Sequence, residues 1–248
     1  MRAAGILFLT FLFSAFPAYA SESSAFSEAN AAYSRGDYKA AAAAYEKIAA
    51  EGGAASAVYY NLGSARFRAG EKGRAMVAFE RAHRLDPRDR DVEWNKAILK
   101  NALADRIEDP DESIFLSSLR KILEYVTVDE AALAFAVVLA ALFLISVSHF
   151  IFRQSKPLTA GAGGVFVFLL VVTGGVFYFK WADARVPRLI VLDREVAARY
   201  GPSEKETKAF VLHEGAEARV ADQTGDWYYI SLKNKTLGWV PKKSCEII

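Results

Sequence analysis

Only one cysteine, two methionines and three histidines occur in the 248 residues. Cys245 has no partner for an intramolecular disulfide and no C-x-x-C mate for metal or redox chemistry. It reads as a small apolar residue near a strand end. His83, His149 and His213 fall in different parts of the chain, and no H-E-x-x-H, G-x-S-x-G, Walker loop or dinucleotide fingerprint accompanies them. The sequence therefore carries no signature of an enzyme, a cofactor site or a metal site. An excess of charge of one sign is missing too. Residues 21–128 hold 16 Lys/Arg against 17 Asp/Glu, and residues 181–248 hold 11 against 10. That near balance excludes the basic footprint of a nucleic-acid binder. Asp86, Asp89, Asp91 and Glu93 resemble a calcium loop, but Trp94 stands where an EF-hand needs glycine, so they read as a solvated helix start.

What is present is a repeat. Gly36, Ala41 and Tyr45 recur 34 residues later as Gly70, Ala75 and Phe79, and 34 is the tetratricopeptide period. The second copy is the fuller one, with Tyr59, Leu62, Gly63, Ala75, Phe79, Ala82 and Pro87 at the expected spacing. Small residues at Gly63, Ala75 and Ala82 let antiparallel helices approach, and Tyr59, Leu62 and Phe79 fill the space between them. The first copy has Ala25, Glu28 and Ala29 where Trp, Leu and Gly are usual, so its first helix is the less clearly written. Repeats are expected at about 22–55 and 56–89, with a closing helix over 90–106, which makes residues 21–107 a tetratricopeptide domain. A further shift of 34 carries Asn61 onto Asn95. Tyr59, Arg66 and Asn95 are the candidate residues of a protein-binding groove.

Three apolar blocks follow a different logic. Ile6 to Phe16, after Met1-Arg2 and before Ala18-Tyr19-Ala20, has the form of a secretory signal peptide over 1–20. Its apolar run of about 11 residues is too short to span a bilayer. Residues 131–152 and 159–179 are each long enough and free of Asp, Glu, Lys and Arg. They are expected to form a transmembrane hairpin around a cytoplasmic turn at 153–158, marked by Arg153 and Lys156. Lys180, Arg185 and Arg188 argue for the opposite orientation. An exported N-terminus with two spans decides the matter, placing both soluble parts in the periplasm. Thr127-Val128-Asp129-Glu130 has the form of a capping box at the start of the first span. Ala132 and Ala136 are expected at the depth of Gly174 and Gly175, where small residues permit close helix packing. Between repeats and membrane, residues 108–128 read as an amphipathic linker helix, with Ile114, Phe115, Leu119, Ile122, Leu123 and Val126 at three- and four-residue steps. That helix either lies on the membrane surface or packs against the repeats.

From about residue 187 the pattern changes to short strand-like runs between turn signals at Gly201-Pro202, Glu214-Gly215, Thr224-Gly225-Asp226 and Lys233 to Thr236. Alternation puts Tyr228, Ile230 and Leu232 on one face and Trp227 and Tyr229 on the other. Arg199-Tyr200-Gly201-Pro202-Ser203, Gly225-Asp226-Trp227-Tyr228 and Gly238-Trp239-Val240 resemble the marks of the bacterial SH3-like family. The resemblance implies a small all-β barrel over 187–248 that binds peptides or cell-wall material. Tyr200, Trp227, Tyr229 and Trp239 are the candidate ligand-binding aromatics, each of which either lines a binding face or completes the core of so small a barrel.

The expected whole is multidomain: α-helical tetratricopeptide hairpins, a two-helix transmembrane hairpin and a C-terminal all-β SH3-like barrel. This order resembles the BatE family of the Bacteroides aerotolerance operon. Membership implies an inner-membrane protein acting with von Willebrand A-domain membrane partners and a MoxR-type ATPase. The expected function is a non-enzymatic adaptor with periplasmic binding modules, with a cell-wall sensor or anchor that contacts peptidoglycan through the barrel as the alternative.

Overall fold

Gly36 and Gly70 adopt positive φ (82° and 84°), so the 34-residue echo marks two equivalent helix ends that need glycine's left-handed conformation. They separate α1 (Phe16–Ser34) from α2 (Tyr38–Ala50) and α3 (Ser56–Arg68) from α4 (Lys72–Leu85). The computed structural model describes residues 16–105, 113–152 and 156–248. Residues 1–15 of the expected signal peptide, most of the loop before the linker helix and residues 153–155 of the expected turn lie outside the described residues. Asp37 caps α2 by accepting from the Ala40 N–H at 3.2 Å. Asp89 caps α5 (Arg90–Asn101), accepting from Asp91 and Val92 at 2.9 and 3.3 Å. The acidic cluster thus begins a helix, as its sequence suggested.

The repeat core is set by close approach. Phe79 is fully buried, and a Cβ placed on Gly63 would lie 2.7 Å from its ring. Tyr45, equally buried in the first repeat, donates its hydroxyl to Asn30 Oδ1 at 2.5 Å.

Helix α6 (Ile114–Glu124) precedes α7 (Val128–Phe152) and α8 (Lys156–Arg185). The capping box at the start of α7 is reciprocal: Thr127 N donates to Glu130 Oε2, and Glu130 N to Thr127 Oγ1, both at 3.1 Å. Helices α7 and α8 contain two segments, Val128–Phe150 and Gly163–Arg185, long and apolar enough to cross a membrane. The second helix starts at Lys156, inside the segment expected as a turn, and runs past Phe179 to Arg185. Phe135 rests on Gly174 and stacks on Phe177 at 6.1 Å. The depth match expected for residues 132–136 and 174–175 is present, but Phe135 makes the contact, while Ala136 is exposed and Gly175 faces open space.

The C-terminal part is one antiparallel sheet of seven strands: β1 (Arg188–Val191), β2 (Glu195–Arg199), β3 (Lys208–His213), β4 (Glu217–Thr224), β5 (Trp227–Ser231), β6 (Leu237–Pro241) and β7 (Cys245–Ile247). Its order is β3-β2-β6-β5-β4-β1-β7. The outer strands β3 and β7 do not pair with each other, so the sheet is not closed by hydrogen bonds into the expected barrel. It nevertheless surrounds one core, because Leu212 of β3 and Leu189 of β1 join Ile230 and Val240 in the same cluster. Gly238 is required there: a Cβ would meet Phe210 at 2.9 Å and Ala198 at 3.1 Å.

The repeats and the sheet share a core. Ile190 of β1 is fully buried among Met76 and Phe79 of α4 and Leu99 of α5, in a core shared between repeats and sheet. The same assembly is tied to one end of the α7–α8 hairpin. Arg88 pairs with Glu130 at 2.9 Å, and Asp183 at the end of α8 holds Arg188 and Arg219 at 2.5 and 2.9 Å.

Candidate functional site

Helix α2 packs against both α1 and α3, and α4 against both α3 and α5, so that α1, α3 and α5 alternate with them along the array. Two amide contacts mark their shared face: Asn61 Nδ2 donates to Asn30 Oδ1 at 3.5 Å, and Asn95 Nδ2 donates to Tyr60 Oη at 3.0 Å and to Asp91 O at 2.9 Å. Beside Asn95, Trp94 is 69% exposed and Ile98 is exposed one turn further on. The register that carries Asn61 onto Asn95 thus has a structural counterpart. Asn30 has no counterpart in the 34-residue register, which carries it onto Ser64, whereas Trp94 falls on Tyr60, an aromatic signal in the sequence that marks this face.

The three candidate groove residues are not brought together; among the described residues, no hydrogen bond, ion pair or ring contact joins them. Asn95 is on the face just described. Tyr59 is half-buried against the first repeat's core, with the Arg81 guanidinium 6.0 Å from its ring centroid. Arg66 is buried, pairing with Glu46 of α2 and with Glu71 at the start of α4. Burial opposes its charge, but the two carboxylates outweigh burial and raise its pKa. Arg66 thereby ties three helices together.

On the sheet, Tyr229 and Trp239 are direct cross-strand partners of β5 and β6, with ring centroids 4.9 Å apart. Trp227 shares their face by alternation, and Arg199 of β2 stands opposite Trp239. All three aromatics are half-buried and lie outside the sheet core, which takes Ile230, Leu232 and Val240 from the other face, with Tyr228 packed against it. Tyr200, 71% exposed in the turn after β2, stands apart from them.

A third set of polar groups lies at the joint between repeats and sheet. Glu71, the N-cap of α4, makes no capping bond with its side chain, which is engaged by Arg66. The orphan Gly73 N–H is instead satisfied by Glu214 Oε1 at 2.8 Å, an acceptor from the sheet domain. Asp105 accepts from the His213 backbone N–H at 2.6 Å and contacts its Nδ1 at 2.7 Å. Arg81 pairs with Glu246 at 2.7 Å. Deeper in α4, buried Glu80 pairs with Lys96 of α5 at 2.6 Å. Burial alone would raise the Glu80 pKa, but Lys96 and Lys100 hold it below the usual range. Among the described residues His83 Nδ1 is buried without a hydrogen-bond partner, and burial, then Lys96, pushes the imidazole down to about 4.

A tetratricopeptide-repeat family profile matches residues 56–89, so the chain contains such a repeat, a fold unit for protein–protein interaction. No curated protein sequence matches the chain. Similar solved structures include the Yersinia enterocolitica type III secretion translocator chaperone SycD, 15% identical, covering 63% of this chain and 85% of that one with a TM-score of 0.32. The same chaperone in complex with a peptide of the translocator YopD is also 15% identical, covering 62% and 93%, with a TM-score of 0.31.

Proposed function

We propose that this protein is a non-enzymatic inner-membrane adaptor whose α1–α3–α5 face holds a protein partner. The observation that carries the proposal is a tetratricopeptide repeat with its back helix α4 covered by the protein's own sheet. Trp94, exposed, and Asn61 and Asn95, half-buried, are the groups this reading offers to a partner. In this reading α7 and α8 span the bilayer and both soluble parts are periplasmic. Supporting it are the leader-like N-terminus, Arg153 between the apolar segments, and the attachment of repeats and sheet to one end of the hairpin. The C-terminal sheet acts as an SH3-like module. The domain order is similar to that of the BatE family, so the partners are von Willebrand A-domain membrane proteins in an aerotolerance or envelope-stress complex served by a MoxR-type ATPase.

Cross-linking in intact cells tests this. A photoreactive residue at position 94 or 61 should give an adduct with a von Willebrand A-domain protein, and Asn95→Ala should weaken recovery without loss of fold. If no such adduct forms while the protein reaches the membrane, the groove assignment is wrong. Arg66 is a poor probe, because its loss also removes ties between α2, α3 and α4.

A second reading is favoured by the Tyr229–Trp239 pair, half-exposed on the face away from the sheet core. In it, Trp227, Tyr229 and Trp239 grip peptidoglycan and the protein is a cell-wall sensor or anchor. Sedimentation of the detergent-solubilised full chain with purified peptidoglycan, against a Tyr229→Ala/Trp239→Ala variant, decides between them. Hydrolysis of that peptidoglycan by the purified protein would overturn both.

A further inference from the structure

Helix α6 carries a strongly one-sided apolar surface that, among the described residues, no other part of the protein covers. With the helix advancing about 100° per residue, Leu116, Leu119, Ile122 and Leu123 fall within one arc, and Ser117, Ser118 and Arg120 occupy the remainder. The arc is open: Ile122 is 64% exposed, and Leu116 and Leu119 are exposed beside it. At the start of the helix Ile114 is 86% exposed. The described residues of the repeats do not cover this face.

The position of α6 says what covers it. Its C-cap, Tyr125, is three residues before α7, and Thr127 starts α7 with its own capping box, so the two are separate helices joined at one point. The last turn of α6 is fixed to the other apolar helix, because Lys180 of α8 donates to Leu123 O at 3.1 Å. Lys180 lies near the end of the Gly163–Arg185 segment, next to exposed Tyr178 and Trp181. Aromatic and basic side chains at the end of an apolar helix are the signature of the membrane–water interface. The repeats are held at that level from above, through Arg88 and Glu130. An apolar arc at this depth, continuous with lipid-facing helices, meets headgroups and the first acyl carbons rather than water.

We infer that α6 is a membrane-interface helix that rests its Leu116–Leu119–Ile122 face in the bilayer surface and sets the height of the repeat domain above the lipid. This rests on the reading of α7 and α8 as spans. The test uses the full chain in vesicles of phosphatidylethanolamine and phosphatidylglycerol, with Cys245→Ser as background. Single cysteines replace Leu119, Ile122, Ser118 or Val137 and carry an environment-sensitive fluorophore. Labels at 119 and 122 should be quenched by lipid bearing a shallow nitroxide, and about threefold less by iodide than the label at 118. The label at 137, within α7, should respond to a deep nitroxide. Iodide quenching at 119 and 122 equal to that at 118 overturns the inference. Protection from both iodide and nitroxide also overturns it, in favour of a protein partner or a second copy. Loss of deep quenching at 137 removes the spanning reading, and the α6 inference with it; deep quenching at 137 without shallow quenching at 122 removes the α6 inference alone.

Discussion

Gly73→Ala should loosen the joint between repeats and sheet, although the same change in a free helix is stabilising. Gly73 is the second residue of α4 and buried. A Cβ there would lie 2.6 Å from Val191 O, 3.2 Å from Leu192 Cα and 3.0 Å from Glu214 Cγ. The Glu214 side chain can swing aside, but Val191 O is held by the Gly215 N–H at 2.8 Å. Relief therefore requires α4 and β1 to separate. Overpacking of this kind costs about 1–3 kcal/mol. Weakening the charge-assisted bond from Gly73 N to Glu214 adds about 1.5–3 kcal/mol. Against these stands a helix-propensity gain of at most about 1 kcal/mol. The net expectation is a loss of about 1.5–5 kcal/mol at the joint, a fall of roughly 10- to 4000-fold in the protection of amides that exchange by opening it. Hydrogen exchange read by mass spectrometry on the solubilised full chain should show this in residues 72–81 and 188–192. Unchanged or increased protection there would mean that the two parts are merely tethered, and the reasoning fails.

Gly63→Ala should destabilise the second repeat by about 1–3 kcal/mol, since the new methyl meets the buried Phe79 ring. Phe79→Leu should rescue part of that loss, and a double-mutant cycle with zero coupling would contradict the packing account. Stability should fall as pH drops from about 6.5 toward 4, because unfolded His83 takes a proton near 6.5 while the folded imidazole resists protonation until about 4. The effect is at most about 3 kcal/mol, and the depressed Glu80 pKa extends the same trend as pH falls further. His83→Leu should flatten the dependence of the denaturant midpoint between pH 7 and 5; an equal drop in variant and parent would refute it. Arg66→Met should lower stability by about 1–3 kcal/mol, less than for a fully buried pair because Glu46 remains half exposed. A variant with unchanged thermal midpoint would return Arg66 to consideration as a free groove residue.

Much of this architecture was legible because it is written in local chemistry. Gly36 and Gly70 announce positive-φ helix ends, Thr127 and Glu130 a capping box, and Gly63 a crossing too tight for any side chain. Strand alternation separated Ile230 from Trp227 and Tyr229 correctly, since period-2 patterning depends only on which face is wet. The groove residues were less legible. Arg66 has the composition of a binding residue, yet it is surrounded by Glu46 and Glu71, one of them 20 residues away in another helix. Barrel closure was not legible either, because pairing of the outer strands depends on the curl of the whole sheet rather than on any one run of residues.

Sequence alone determined the modules: where each helix caps and breaks, which segments are apolar over a bilayer's length, and which strand faces are wet. These follow from interactions among residues a few positions apart. Only the tertiary structure decided what the modules do to one another. A two-repeat array needs further surface to bury its core. Ile190 supplies it from 111 residues beyond Phe79, while Glu214 caps a helix 141 residues earlier. Contacts at such separations leave no period and no motif, because any apolar residue and any carboxylate can make them once the fold has brought the two surfaces together.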